Sequence, residues 1–322
     1  MRARSPLDLP HAEVRALFAD GAPVYLPVNP VEYHGPHLSL HNDALISQGL
    51  MGRLHERLFP GLPLLAVPDL EIGVEPVRGP GSRAVPYQTV CRLVARACHS
   101  LADLGAQRVV IMTFHGAPLH NDALQRGVEL LLCRGVRALS PMAELMSLQV
   151  DPPVDLRAAM AATCETIADS ADRAAMLEAL DVDLHAGFLE TSLSLHLAPD
   201  SVAADLSSLS PCPPASPSKA VLALARTAAL MGRARLAAEL RFVAWGVGWY
   251  AIRPHPGYTT RPDLANAEAG RLATELIIER YAATTRAVFE GAPPPEPPMR
   301  WLRGLSLGGR MPAPDIGDRP GV

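Results

Sequence analysis

Pro23-Val24-Tyr25-Leu26-Pro27-Val28 runs through three further residues into Glu32-Tyr33-His34-Gly35-Pro36-His37-Leu38-Ser39-Leu40-His41-Asn42-Asp43. The first six residues read as a short buried β-strand. Residues 43–58 carry Leu45, Ile46, Leu50, Leu54 and Leu58 at helical spacing. Between strand and helix, twelve residues supply two carboxylates and three imidazoles, separated by Gly and Pro. A connecting loop has no structural need for so many metal-competent groups. Glu32 and His34 are two apart, so in extended chain their side chains point the same way. Asp43, at the start of the helix, can reach back toward the same point. Two carboxylates and an imidazole suit Zn²⁺, Mn²⁺ or Fe²⁺ better than a soft-metal site. Taken singly, Asp43 also reads as a first-turn helix acid and Glu32 as a solvated loop charge.

The alternation of strand and helix continues outward. A first short helix over 10–20, stopped by Gly21, precedes the strand. Residues 64–67 form a second strand, followed by a Gly/Pro-rich loop over 73–82 and a helix over 87–103. Arg108-Val109-Val110-Ile111-Met112-Thr113-Phe114 is the clearest strand and ends directly in His115-Gly116. A helix over 119–133 and a strand over 136–139 follow. Strands that are apolar throughout, alternating with helices, predict a parallel sheet covered on both faces. In such sheets ligands bind outside the carboxyl ends of the strands. The Glu32 loop and His115 both lie at carboxyl ends, which places them on one rim.

Further along, one Ala-rich helix is expected over 157–179, and Asp183 through Ser192 opens a helix running to Leu197. Residues 206–218, rich in Pro and Ser, read as a surface linker. A helix over 219–240, a strand over 243–250 and a long helix over 263–289 complete the expectation. The reading gives one domain over 1–290 and a Pro/Gly-rich tail over 291–322, extended and partly disordered.

At 322 residues, 48% hydrophobic and 19% charged, the chain can bury a large single core. A net charge of −4 with no basic cluster leaves no footprint for nucleic acid or an anionic membrane. No apolar run approaches the ~18 residues needed to span a bilayer. The first residues are basic without an apolar core behind them, so no secretory signal is expected. The five cysteines lack metal-type spacing and read as buried thiols of a cytoplasmic protein. None sits in a Gly-rich or strand-end context, which argues against a cysteine nucleophile.

The pattern E-x-H-G-P-H-L-x-x-x-x-D over Glu32 to Asp43 resembles the first metal-binding segment of the creatininase (creatinine amidohydrolase) family. The H-A-G-x-x-E-T-S block of that family is matched by His185 through Ser192, and Thr113-Phe114-His115-Gly116 resembles its second histidine segment. A weaker block resembles Gly257-Tyr258 and Pro262 through Gly270. The resemblance covers roughly residues 20–275. It implies a three-layer α/β/α sandwich and a pair of divalent ions, Zn, Mn or Fe, held by Glu32, His34, Asp43, His115 and Glu190, with Asp43 bridging. His185 would be the general acid/base. His37 and His41 would support the ligands from behind, with Gly116 and Ser82 in the loops bordering substrate. The implied chemistry is hydrolysis of a C–N bond in a small cyclic amide, a formamide or a short modified peptide. The implied assembly is a homo-oligomer, with hexamers built from dimers common in the family. A metal-binding or inactive relative serving as a scaffold is the other reading.

Each residue has a plainer role to set beside this one. His115 could be a satisfied histidine at a strand end, Glu190 a helix-face charge and His185 a capping or core residue. His120 and Asp122 match nothing in the family and read as a solvated helix start. The family's second loop, E-H-x-x-F-P-G-T, is here Glu75-Pro76-Val77-Arg78-Gly79-Pro80-Gly81-Ser82, without the His and Phe. Gly116 and Ala117 replace an aromatic residue and a ligand Glu of creatininase proper, which points to Glu190 as the fifth ligand. No tryptophan precedes His185 closely; Trp245, Trp249 and Trp301 fall elsewhere. Creatinine itself is therefore not the expected substrate.

Overall fold

The structure is a computed structural model and describes residues 3–306. Two layers of helix enclose a four-stranded sheet of β1 (Val24–Pro27), β2 (Leu65–Ala66), β3 (Arg108–Met112) and β4 (Arg137–Leu139). All pairings are parallel and the order is β2-β1-β3-β4. Because successive side chains of a strand point to opposite faces, each strand feeds two cores. Val24, Leu26, Val109 and Ile111 pack beneath α1 (His11–Ala19), α3 (Tyr87–Asp103) and α4 (Pro118–Cys133). Tyr25, Val110 and Met112 face the other way, toward α2 (Asn42–Leu58), α8 (Phe188–Leu197) and α11 (Ala267–Glu290). The expected sandwich is present.

From β1 the chain crosses through α2 to β2 on one side, and from β3 through α4 to β4 on the other. The direction of winding therefore reverses between β1 and β3, and the reversal opens a crevice at their carboxyl ends. The Glu32 loop leaves β1 there and His115 leaves β3 there. Register confirms the adjacency, since Pro27, the last residue of β1, pairs with Met112, the last of β3.

The remaining helices are α5 (Met142–Val150), α6 (Val154–Cys164), α7 (Ser170–Ala179), α9 (Lys219–Leu230), α10 (Ala234–Tyr250) and α12 (Leu302–Leu305). Several depart from expectation. The single helix over 157–179 is two, α6 and α7. It breaks where Asp169 turns its carboxylate onto the amides of Ala171 and Asp172 at 2.9 Å and starts a new helix. Helix α5 forms between the expected strand over 136–139 and the expected helix over 157–179. The strand expected over 243–250 is the second half of α10. Its Val, Trp and Tyr content favours a strand in isolation, but pairing with α9 overrides propensity.

The tail also differs from expectation as far as residue 306. Pro297, Pro298 and Met299 are buried. The Arg300 guanidinium pairs with Asp122 (3.1 Å), and the Trp301 indole N–H donates to Glu239 (2.6 Å). Residues 307–322 lie outside the described residues. Asp122 and His120, expected at a solvated helix start, are 1% and 0% exposed, because the sheet covers one and the tail the other. The cysteines are free, with Cys98 and Cys164 buried and Cys133 exposed. No helix among the described residues is long and apolar enough to cross a membrane.

Candidate metal centre

At the crevice between β1 and β3, five side chains from four segments converge. Gly35, with φ of +68°, turns the chain after His34 in a conformation that side chains disfavour. A Cβ there would also lie 2.8 Å from the Tyr258 ring. Asp43 comes from the first turn of α2, His115 from the end of β3 and Glu190 from the first turn of α8.

His34 Nε2 lies 3.5 Å from Asp43 Oδ1, 3.2 Å from Glu190 Oε1 and 4.0 Å from Glu32 Oε2. His115 Nδ1 lies 2.8 Å from Glu32 Oε2 and 3.7 Å from Asp43 Oδ2. Potential ligand atoms therefore form two triads, Glu32/Asp43/His115 and His34/Asp43/Glu190, each with its atoms within 4.8 Å of one another. Asp43 belongs to both. A third grouping joins Glu32 and His34 to His185.

Backbone carbonyls fix how the rings face. A carbonyl can only accept, so the nitrogen beside it carries the proton. His34 Nδ1 donates to the Glu32 carbonyl (3.0 Å), His115 Nε2 to Val74 (3.0 Å) and His185 Nε2 to Tyr33 (3.1 Å). The lone pairs of His34 Nε2 and His115 Nδ1 are then turned toward carboxylate oxygens. Acceptor facing acceptor is repulsive unless a proton or a metal ion lies between. Consistent with this, Glu32 Oε2, His34 Nε2 and Asp43 Oδ2 are buried without a hydrogen-bond partner.

Protonation alone settles this cluster poorly. Burial pushes the His34 and His115 imidazoles toward neutrality, but the facing carboxylates win and hold both above the usual range. Burial raises the Asp43 carboxyl; His34 pulls it back, and the Glu32 charge drives it up further. Glu190 is held low by His34 against its burial. Three carboxylates facing two histidines leave net negative charge in a dry crevice, which costs heavily unless cations are present. The donor set of carboxylate oxygens and imidazoles fits divalent ions.

The surroundings hold the cluster's side chains in place. Glu32 Oε1 accepts from the Val77 amide (2.5 Å), while Asn42 Nδ2 (2.8 Å) and the Ala186 amide (2.6 Å) both donate to Glu190. The second loop, which lacks the family's His and Phe, thus acts through its backbone, with the Val74 carbonyl on His115 and the Val77 amide on Glu32. Ser82 braces that loop, donating to the Val77 carbonyl and accepting from the Tyr33 amide. His37 is bonded to Thr191 (3.0 Å) behind α8, His41 is exposed, and Gly116 lines the cavity described below.

Four features had no signal in the sequence. Asn42 holds Glu190 and accepts from Ser194. Asp183 accepts the Phe188 and Leu189 amides at the start of α8. Glu75 caps α4 beside His115 by accepting the Leu119 amide. Trp249, expected elsewhere, packs on His185 with ring centroids 5.6 Å apart.

A parallel three-layer sandwich with a buried carboxylate–histidine cluster at its switch point is the architecture of a candidate metal-binding α/β protein. A sequence profile of the creatininase family, described as creatinine amidohydrolase, matches residues 8–285, and this chain belongs to that family. Its fold is similar to that of a manganese creatininase, at 22% identity and a TM-score of 0.58, over 89% of this chain and 99% of the other. A creatininase variant of zinc–zinc type aligns at 22% and 0.58 over 90% and 99%. A variant complexed with creatine aligns at 22% and 0.58 over 89% and 99%. No curated protein sequence matches the chain.

Proposed function

We propose that this chain hydrolyses the C–N bond of a small cyclic amide, a formamide or a short modified peptide at a dinuclear divalent metal centre. Glu32, Asp43 and His115 would hold one ion and His34, Asp43 and Glu190 the other, with Asp43 shared. Zn, Mn and Fe all suit these donors. Such ions polarise a carbonyl and acidify a water at neutral pH. The observation that carries the reading is the set of buried, unpartnered atoms Glu32 Oε2, His34 Nε2 and Asp43 Oδ2, spread over two adjoining groups of potential ligands.

His185 carries the proton. With Nε2–H committed to the Tyr33 carbonyl, its free atom is Nδ1, and burial followed by the nearby His34 keeps the ring neutral and able to accept. From there the proton can pass to the departing nitrogen. Trp249 covers one side of the ring and excludes water. The His185/Glu32/His34 grouping favours a second role, His185 as a ligand. The family's oligomers make a homo-oligomer the expected assembly.

Replacing Asp43 by Ala should remove both bound metal, read by elemental analysis, and hydrolysis across an amide panel. Full activity in that variant would end the proposal. His185→Ala should keep its metal and lose about 10²–10⁴-fold in kcat. Loss of metal in that variant would make His185 a ligand instead.

A further inference from the structure

Beside the cluster lies a cavity whose empty space is about 1030 Å³, including its open mouth. Asp43, His115, His185 and Glu190 line one end of it. Beyond them the wall is largely apolar, supplied by Met142, Leu145 and Leu148 of α5, Met160 of α6, Leu193 of α8 and Leu276 of α11. We infer that this cavity is the substrate-side pocket and selects amides carrying an apolar substituent, an alkyl chain or aryl ring, next to the scissile bond. The inference rests on the hydrolase reading above and deepens it.

Continuity decides that the cavity serves the site. The wall begins at the residues that hold the cluster, so a group bonded to a carbonyl at the cluster enters the cavity. Chemistry decides what enters. Water against such a wall finds few partners and gains by leaving for bulk. Two charged groups line the wall beyond the cluster, Asp183 and Arg280. Asp183 is committed to the Phe188 and Leu189 amides and the Thr260 hydroxyl, and Arg280 pairs with Asp155 at 3.1 Å. Asp183 is thereby taken up, while Arg280, its side chain 34% exposed, keeps further N–H donors at one point of a wall that is otherwise largely apolar. Methionines at two positions make the wall adaptable to chains of different shape. Helices α5 and α6 supply a large share of the wall, so part of the selectivity resides in a stretch outside the segments that carry the cluster.

Straight-chain hydroxamates of two to eight carbons, titrated calorimetrically into the metal-loaded full chain, test the pocket without hydrolysis. Matching primary amides, which do not depend on chelation, are titrated in parallel into metal-free protein. Affinity should rise about fourfold per methylene until the cavity fills, in both series. The two-carbon hydroxamate reports the ion site separately. If it binds but affinity stays flat or falls with length, the pocket inference is overturned and the metal centre stands. If hydroxamates do not bind but amides still gain with length, the pocket stands and the metal reading fails. Leu148→Trp should abolish the gain with length. Should that variant misfold, the wild-type slopes decide alone.

Discussion

At the scale of single residues, the cluster is organised by backbone carbonyls that choose which nitrogen of each ring is free. Asp43 is the most exposed to this arrangement's cost, since it is 2% exposed and faces another carboxylate. Asp43→Asn should therefore act with opposite signs in two states. It should raise the melting temperature of metal-free protein by relieving like-charge burial and lower that of metal-loaded protein. Differential scanning fluorimetry with and without chelator reads both. His37 gives a separate pH signature. Burial holds its imidazole down to about 4, against 6.5 ordinarily, so the unfolded chain binds the extra proton between those values. Its contribution to stability is present above pH 6.5 and lost as pH falls toward 4. The raised carboxyl of Asp183, pushed by burial up to about 6, works the other way, so the comparison must isolate His37. His37→Gln, which can keep the bond to Thr191, should flatten the fall in melting temperature over that window. An unchanged profile would contradict the assignment.

At the scale of elements, α8 carries Glu190 and is fixed at both its start and its side. Asp183 grips its first amides, and Gly270 of α11 lets the two helices meet closely. A Cβ on Gly270 would lie 1.9 Å from the Ser192 carbonyl oxygen. Gly270→Ala should force the helices apart, moving Glu190 and lowering both stability and metal retention. Asp183→Ala should cost about 0.5–2 kcal/mol, as for loss of a helix cap, read by denaturant unfolding. Here the sequence was legible where chemistry and periodicity agree. The apolar runs of β1 and β3, ending in Glu32 and His115, announce a parallel sheet and its ligand rim. It was illegible where tertiary contacts decide. Val243 to Tyr250 look like a strand but are held helical by α9, and the link between α6 and α7 is set by one capping carboxylate. Asp122 and His120 look solvated because nothing local shows that the C-terminal segment and the sheet will cover them.

At the scale of the molecule, the order β2-β1-β3-β4 creates one crevice, and every segment that carries a cluster residue meets at it. The two strand loops were readable as neighbours because both follow buried strands. Glu190 was placed there by its match to a family block, since its own helix lies far along the chain. Asn42, Asp183 and the α5–α6 wall had no such mark, because their roles exist only once distant segments meet. Binding energy at this crevice is also folding energy, so chelation should lower the melting temperature of the whole chain. At free metal about 100 times Kd, each ion contributes about 2.7 kcal/mol. The most direct measurement is anomalous X-ray scattering at the Zn, Mn and Fe edges from crystals of the purified protein. Two peaks should appear at the crevice, one among Glu32, Asp43 and His115 and one among His34, Asp43 and Glu190. A crevice without metal in protein that is nonetheless active, or peaks ligated by other residues, would contradict it.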